Sequence, residues 1–276
     1  HYSECISYCE QILNAGFVLA SDYKTVFMAD NHQGEARQEI IFSVVSDGIT
    51  TQNYGPTTVV VNGQVGSAES NGASFGVSEG GWNGALRVTP QFSETMLSGT
   101  YDNDVRNTIL IGERTIDIPD IADRETGYIV GKWSNISSTG VPGSALEIVD
   151  TDFPMFRLGD VYLMYAEAYL RGGGGSASLA AGYVTALRNR SGNTNAVSEG
   201  DLNLDLILNE RLVELYWEAH RRQDLIRFGK YSGGSYNWSW KGNVPNGTAL
   251  NATKNVFPIP NASLAANPNL TQNPGY

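Results

Sequence analysis

The sequence predicts a mainly α-helical protein in which TPR-like helix pairs stand beside a large irregular portion with a few short strands. Two observations support this fold class. Apolar residues repeat at helical spacing through residues 157–228, whereas Gly, Ser, Thr, Asn and Gln dominate residues 46–81. Hydrophobic residues make up 41% of the 276 residues, which is enough to bury a sizeable core.

The first half of the chain predicts short elements separated by turns. Residues 1–15 carry a helical apolar stripe that ends at Gly16, a residue typical of helix C-termini. Residues 39–45 are apolar and β-branched, which predicts a buried strand, and residues 57–61 predict a short strand inside the polar region. Residues 109–133 predict further strands and turns.

Helices are predicted at residues 90–96 and dominate the second half of the chain. Residues 90–96 predict a short helix with Thr89 as its cap. Residues 157–171 and 177–190 have helical periodicity and are separated by a run of glycines, so they predict an antiparallel pair of the TPR type. Residues 205–228 predict one further long helix with a single apolar face.

The charge balance limits the classes of partner. The formal net charge is −11 at pH 7, and such a surface repels phosphate backbones, so no nucleic-acid partner is predicted. Neutral sugars remain compatible with this charge. No run of about 20 apolar residues occurs, so the sequence predicts no membrane-spanning helix.

The two cysteines, Cys5 and Cys9, lie one helical turn apart on the first predicted helix. We expect two small buried side chains, because cysteine is among the most buried residue types. A zinc site would need two further ligands, which no nearby His/Cys pair supplies. A local disulfide is the third interpretation, and it would constrain almost nothing.

Four separated blocks resemble the SusD/RagB family. They are residues 157–168 (RLGDVYLMYAEA), residues 187–191 (LRNRS), residues 210–229 (ERLVELYWEAHRRQDLIRFG), and residues 257–260 (FPIP) with 267–276 (NPNLTQNPGY). Weaker agreement extends upstream to residues 81–84, 104–106 and 132–133. The resemblance covers nearly the whole chain and is strongest after residue 152.

The resemblance implies a surface-exposed outer-membrane lipoprotein with a SusD-like α–α superhelix. Such proteins capture oligosaccharides, or in some lineages peptides, and pass them to a SusC-like TonB-dependent transporter without enzymatic activity. The family is anchored by a lipid on an amino-terminal Cys. The chain is therefore expected to begin inside a larger protein, whose missing amino-terminal part bears the anchor.

The same resemblance implies a domain organisation. Residues 1–30 correspond to the end of an amino-terminal TPR-like region, and residues 31–276 correspond to the carboxy-terminal domain. Within that domain, residues 46–150 form the loop-rich part that faces the ligand. A helical core at residues 153–229 and an extended tail at residues 230–276 follow.

Aromatic residues within polar loops are the candidate glycan contacts. Sugars present C–H faces that stack on aromatic rings, while their hydroxyls pair with polar side chains. The predicted ligand-binding residues are Tyr54 and Trp82 for stacking, Gln52, Asn53 and Asn83 for hydroxyls, and Trp238 and Trp240 as a second platform. Two purely structural interpretations stay open. Trp82 would be buried in the core at the start of the next element, and Trp238 and Trp240 would cover the helix predicted at residues 205–228.

Carboxylates on the helix predicted at residues 205–228 are the candidates for a metal site or an acid/base pair. Glu210, Glu214 and Glu218 are four residues apart, so they would share one face of a continuous helix, and His220 is one turn from Asp224. We predict structural use for them, with no catalytic residue and no metal ligand.

Ion pairs with arginines are predicted for these carboxylates. Glu218 is expected to pair with Arg221 and Arg222 at helical spacing, and Arg157 and Glu167 are expected to join an ionic network. No cofactor is predicted; the acidic turn at residues 102–104 (Asp102, Asn103, Asp104) is a weak candidate for calcium.

Three function classes remain at this point. Glycan capture ranks first, a peptide- or partner-binding TPR-like scaffold ranks second, and a glycoside hydrolase ranks third. Hydrolysis needs two carboxyl groups about 5–10 Å apart in a cleft, and nothing in the sequence marks one pair as special.

Overall fold

The computed structural model describes residues 1–52 and 54–276, which form two compact units, His1–Ala219 (unit 1) and His220–Tyr276 (unit 2). Helices predominate and strands are few and short, so the mainly helical fold class is confirmed. In the described residues no helix has the length and apolar character needed to cross a membrane. The proposed boundary after residue 30 stays a prediction.

The helices of unit 1 are α1 (Tyr2–Leu13), α2 (Ala36–Glu39), α3 (Pro56–Gln64), α4 (Pro90–Met96), α5 (Leu158–Leu170), α6 (Ala177–Arg190) and α7 (Leu204–Leu215). Those of unit 2 are α8 (Arg221–Arg227) and α9 (Asn261–Ala266). Helix α5 packs against α1, α6 and α7, so the predicted antiparallel pair is present. The side chain of Thr89 accepts from the backbone N–H of Phe92, as predicted for the cap of α4.

The strands form two small antiparallel ribbons in unit 1. Strand β1 (Ile40–Val44) pairs with β4 (Phe153–Arg157), and β2 (Ile109–Leu110) pairs with β3 (Ile129–Val130). The strand predicted at residues 39–45 therefore exists, but the prediction that it is buried is wrong, because Phe42 is 55% exposed. A two-stranded ribbon covers only one face of each strand, so alternate residues remain in solvent.

Residues 57–61, predicted as a strand, belong to helix α3. A proline in the first turn suits a helix N-terminus, since its missing N–H is not needed there. Thr58 and Val61 lie on the buried face of α3, together with the polar side chain of Asn62. Strand preference of β-branched residues is weak, and packing of this face outweighs it.

The long helix predicted at residues 205–228 is also wrong. Helix α7 ends at Leu215 and α8 begins at Arg221. Between them, Trp217 and Ala219 adopt positive φ angles of 58° and 66°, a conformation that L-residues with a side chain rarely take.

Side chains from elsewhere in unit 1 cap the end of α7. The carbonyl of Glu214 accepts from the Tyr23 hydroxyl at 3.0 Å and from Arg157 Nη2 at 2.8 Å. Lys132 Nζ donates to the Tyr216 carbonyl at 2.7 Å. The last carbonyls of a helix have no partner within it, and cations are favourable at that end. These donors stabilise the break.

A buried ionic network occupies the centre of unit 1. Its members come from β4, α2, α6, α7 and the loops between elements, and their positive and negative charges cancel. They are Arg106, Lys132, Arg157, Arg188 and Arg190 with Glu39, Asp104, Glu210, Glu214 and Glu218. We call this set the ionic network.

Arg157 is the most connected cation of the ionic network. It donates to Glu39 Oε1 at 2.9 Å, to Glu214 Oε1 at 2.6 Å and to both carboxylate oxygens of Glu218. Lys132 Nζ contacts Glu218 Oε1 at 2.6 Å and lies 4.2 Å from the centre of the Phe27 ring. These donors satisfy the buried carboxylates, which would otherwise be costly to desolvate.

One detail of the sequence-based network was wrong. The pairing of Glu218 with Arg221 and Arg222 rested on a continuous helix, and the break at residues 216–220 instead brings Glu218 to Arg157 and Lys132. Glu167 pairs with Arg171 at 2.9 Å, and its place in a network with Arg157 stays a prediction.

The ionic network perturbs the acidity of its members. Burial by itself would raise the pKa of Glu214, but Arg190, Arg157 and Arg106 hold it well below its ordinary value. Burial lowers the pKa of Lys132 to about 8, against the opposing effect of the Glu218 carboxylate.

The cysteines are free thiols in α1. Cys9 is buried and Cys5 is partly exposed, so the prediction of two buried side chains holds in full only for Cys9. Burial, followed by the effect of Cys5, raises the pKa of the Cys9 thiol to about 12. Cys9 is therefore an unreactive packing residue at neutral pH.

Replacing Glu214 tests the ionic network. Glu214→Gln should destabilise the fold by about 3–5 kcal/mol at pH 7, because the arginines around it lose a partner charge. The native pKa of Glu214 lies below its ordinary value of 4.5, so its stabilisation is present above that pH and is lost on further acidification. Urea unfolding at several pH values should show that the free energy of unfolding falls less steeply on acidification in the variant than in the wild type.

Glu10→Gln, a change at an exposed carboxylate of α1, is the matched control and should unfold like the wild type at each pH. A Glu214→Gln protein with a normal unfolding curve but abolished ligand binding would contradict the structural role.

Two glycines in neighbouring helices give a second test. A Cβ at Gly159 in α5 would overlap the Arg157 guanidinium and lie 2.8 Å from Glu214 Oε1, whereas a Cβ at Gly182 in α6 would meet nothing within 4 Å. Gly159→Ala should destabilise by about 1–3 kcal/mol in spite of its better helix propensity. Gly182→Ala should stabilise by about 0.5–1 kcal/mol. Thermal unfolding should show a lower melting temperature for Gly159→Ala and a higher one for Gly182→Ala. Equal changes in melting temperature would contradict the close packing of α5 against Arg157 and Glu214.

Candidate functional site

Tyr54 and Trp82 lie side by side at the surface of unit 1. Their ring centroids are 6.5 Å apart and the ring planes are inclined by 42°. Tyr54 is 58% exposed and Trp82 is partly exposed. The structure thus brings together the two residues predicted to stack on sugar, and we call them the aromatic pair.

Helix α3 places both members of the aromatic pair. Tyr54 lies two residues before its first residue, Pro56. The N–H of Trp82 donates to the Asn62 carbonyl at 3.0 Å, and the N–H of Leu86 donates to the Gly63 carbonyl at 2.9 Å. Carbonyls in the last turn of a helix lack partners within the helix, so the segment at residues 82–86 satisfies them.

The buried side chain of Asn62 connects α3 to a third segment. Its Nδ2 donates to the Glu147 carbonyl at 2.9 Å and to the Thr58 carbonyl at 3.0 Å. The Tyr54 hydroxyl in turn donates to Glu147 Oε1 at 2.6 Å, and this hydrogen bond raises the pKa of Tyr54. Asn62 therefore fixes Trp82 through its carbonyl and the partner of Tyr54 through its amide.

Helix α3 is anchored to the core beside the ionic network. Gln64 Nε2 donates to the Trp133 carbonyl at 2.5 Å. Trp133 is fully buried, stacks on Phe153 at 5.6 Å and directly follows Lys132 in the chain. The aromatic pair thus stands on a rigid support, as a preorganised binding surface requires.

The segment at residues 121–126 lies against Trp82. Arg87 donates to the Ile121 carbonyl at 2.7 Å and to the Thr126 carbonyl at 3.0 Å. Arg124 Nη1 donates to the Trp82 carbonyl at 3.4 Å. The aromatic pair therefore has the Glu147 carboxylate at the Tyr54 hydroxyl and the Arg124 guanidinium at the Trp82 carbonyl.

An apolar cavity of about 810 Å³ adjoins Tyr54 in unit 1. Its lining residues are Tyr54, Gly55, Val59, Val60, Leu86, Arg87, Phe153, Met155, Trp217 and Ala219. Hydrogen-bonding side chains are scarce in it, so it suits apolar groups better than sugar hydroxyls.

The residues predicted to bind hydroxyls flank the aromatic pair in the chain. Gln52 and Asn83 are exposed and adopt positive φ angles of 40° and 56°. Asn53, the third residue of this set, lies outside the described residues. Hydroxyl binding by these side chains stays a prediction.

The second predicted platform, in unit 2, does not have the geometry assumed for it. Trp238 packs between Tyr231 and Tyr236, at centroid distances of 5.7 and 6.1 Å. Trp240 has a φ of 67° and begins a tight turn that includes Lys241. Because the segment turns here, the shared face expected of an extended strand is absent at these two residues.

The carboxylates considered for catalysis or metal binding have cationic partners. Glu214 and Glu218 lie within the ionic network, and Asp224 pairs with Arg227 at 2.9 Å. Asp104, at the acidic turn considered for calcium, accepts from Arg106 with both oxygens. Within the described ranges no group of three or more His, Cys, Asp or Glu is placed to hold a metal ion; calcium at this turn stays a prediction.

Sequence reasoning missed Asn62, Glu147 and Arg87. Glu147 and Arg87 are far from Tyr54 in the chain, so no local pattern connects them. Asn62 is recognisable only once α3 is known to be a helix, because its side chain then lies one turn from Thr58 on the buried face.

A family model and a curated relative both assign the chain to the same family. The family described as "SusD family" matches residues 73–276. The chain is 31% identical over 319 aligned residues to the Starch-binding protein SusD of Bacteroides thetaiotaomicron, covering 100% of this chain and 56% of that protein. The chain therefore spans about half the length of the curated relative that it matches.

Solved structures agree on the fold. A SusD superfamily protein from Bacteroides vulgatus matches with a TM-score of 0.68 and 22% identity, over 100% of this chain and 55% of that one. Surface glycan-binding protein A from Bacteroides thetaiotaomicron, solved with laminarihexaose, matches with a TM-score of 0.64 and 20% identity, over 99% and 59%. At these identities the similarity shows the fold.

The support given by Asn62 can be tested directly. Asn62→Ala removes the donor to Glu147 and Thr58, so ligand binding at the aromatic pair should weaken beyond the accompanying loss of about 1–2 kcal/mol of stability. Affinity electrophoresis at a temperature where the variant is folded measures the binding. Asn107→Ala, which removes an amide bound to the Met96 carbonyl, is the control and should leave binding unchanged. Equal binding by both variants would contradict the support.

Proposed function

The chain belongs to the SusD family, and from this premise we propose that it captures glycans at a bacterial cell surface through the aromatic pair Tyr54–Trp82. The supporting observation is the exposure of two adjacent rings that helix α3 holds in place. Sugar C–H faces stack on such rings, and the flanking polar groups suit hydroxyls. Relatives named for starch and surface-glycan binding agree with this substrate class.

Capture serves uptake in this proposal. The bound glycan is delivered to a SusC-like TonB-dependent transporter in the outer membrane, and the protein stays at the cell surface through a lipid anchor in a preceding amino-terminal part. The net charge of −11 argues against nucleic acid as a partner.

The proposed role is binding without catalysis. A glycosidase needs one carboxyl group to donate a proton and a second to act as nucleophile or base in a cleft. Glu214 and Glu218 are buried, bound to arginine or lysine, and have lowered pKa values, which makes them poor proton donors.

The apolar cavity beside Tyr54 favours a second candidate function. A peptide- or partner-binding scaffold would place apolar side chains in it, whereas a glycan would leave most of it empty. Glycan capture ranks above this scaffold because the rings of the aromatic pair are exposed and suited to stacking on sugars.

Binding to a polysaccharide panel tests the proposed function. Native affinity gels containing starch, laminarin, xylan, mannan or pectin should retard the protein with one class, and no reducing ends should be released. Trp82→Ala should weaken that binding about tenfold, and Tyr54→Ala should weaken it as well, because each removes a stacking face.

Trp238→Ala in unit 2 is the control, and it should migrate like the wild type. Retardation that persists in both Tyr54→Ala and Trp82→Ala would place the glycan elsewhere. Binding of hydrophobic peptides with no binding to any glycan would favour the scaffold, and release of reducing ends would establish catalysis.

A further inference from the structure

We propose that Glu147 makes the aromatic pair selective for neutral glycans over glycans that carry carboxylates. The inference rests on the proposed function and deepens it, because it assigns a substrate class to the same site. It is independent of which neutral sugar is bound.

Glu147 has one oxygen engaged and one available. Its Oε1 accepts from the Tyr54 hydroxyl at 2.6 Å, which fixes the ring at the exposed end of the aromatic pair. In the described part of the chain, no hydrogen bond involves its Oε2. A side-chain carboxylate next to a stacking ring is an acceptor for sugar hydroxyls, which lie around the edge of the stacked sugar.

The backbone of Glu147 is held in place, so its carboxylate is a defined feature of the site. The Glu147 carbonyl accepts from Asn62, and the N–H of Val149 donates to Thr58 Oγ1 at 3.2 Å. The donor Asn62 and the acceptor Thr58 both belong to α3, which also positions Tyr54 and Trp82. The charge therefore keeps its place relative to both rings.

The fixed negative charge disfavours a uronate at the Tyr54 end of the site. Arg124 donates to the Trp82 carbonyl and Arg87 donates to the Ile121 and Thr126 carbonyls, and within the described residues neither forms an ion pair with Glu147. The net charge of −11 for the whole chain acts in the same direction. A neutral glycan meets an acceptor at Glu147, whereas an acidic glycan meets repulsion.

Glu147→Gln tests the proposal, since glutamine keeps an acceptor oxygen and removes the charge. The probes are the polysaccharide that the wild type retains and its carboxymethylated form, compared in affinity gels at low salt. The wild type should bind the carboxymethylated form more weakly than the neutral form. In Glu147→Gln this discrimination should shrink about fivefold, and affinity for the neutral form should fall by a smaller factor, because an amide oxygen is a weaker acceptor than a carboxylate.

A control variant and the salt dependence separate the local charge of Glu147 from the net charge. Glu10→Gln changes the net charge by the same amount on α1 and should retain the discrimination. Raising the salt concentration should reduce the discrimination of the wild type more than that of Glu147→Gln, which keeps only the contribution of the net charge.

The outcomes distinguish this inference from the proposed function. Neutral binding that is lost in Trp82→Ala, with equal discrimination in wild type and Glu147→Gln, would overturn the role of Glu147 alone. A wild type that prefers the carboxymethylated form would assign specificity to the arginines and would also overturn it. Absence of binding to every glycan would overturn the proposed function and this inference together.

Discussion

The convergence of Arg157 on three buried glutamates is the constraint on which the rest of unit 1 depends. Arg157 ends β4 and directly precedes α5, while its partners Glu39, Glu214 and Glu218 come from α2, α7 and the break after α7. Such groups are costly to bury unless they are paired and hydrogen-bonded, so an arrangement that separated one partner would leave a buried charge without compensation. The break after α7 brings Glu218 to Arg157, and the close approach of α5 at Gly159 accommodates the Arg157 guanidinium.

This constraint extends to the surface through α3. Lys132 belongs to the ionic network, its neighbour Trp133 accepts from Gln64, and Asn62 one half-turn earlier holds both Trp82 and the Glu147 segment. The aromatic pair is thus two hydrogen-bonded steps from the centre of the unit. A surface held in this way loses little conformational freedom when a ligand binds, which is how a shallow site can bind a flexible glycan.

The distribution of carboxylates separates support from recognition. Those in the ionic network are buried and paired, and cationic neighbours hold the pKa values of Glu214 and Glu218 below their ordinary value, which is the opposite of the tuned acid and base that hydrolysis needs. Glu147, in contrast, is exposed at the edge of the aromatic pair and bound to a single neutral hydroxyl. Similar side chains therefore serve stability in one place and are available for ligand selection in another.

The sequence by itself determined the helical class, the cap of α4, the α5–α6 pair, the family resemblance and the aromatic residues at positions 54 and 82. These properties depend on local periodicity, capping chemistry or motif order, which can be read along the chain. Only the tertiary structure decided that residues 57–61 are helical, that residues 205–228 break, and that Asn62 and Glu147 support the aromatic pair. The physical reason is that burial against distant elements outweighs weak local preferences, and that partners distant in the chain leave no periodic signal.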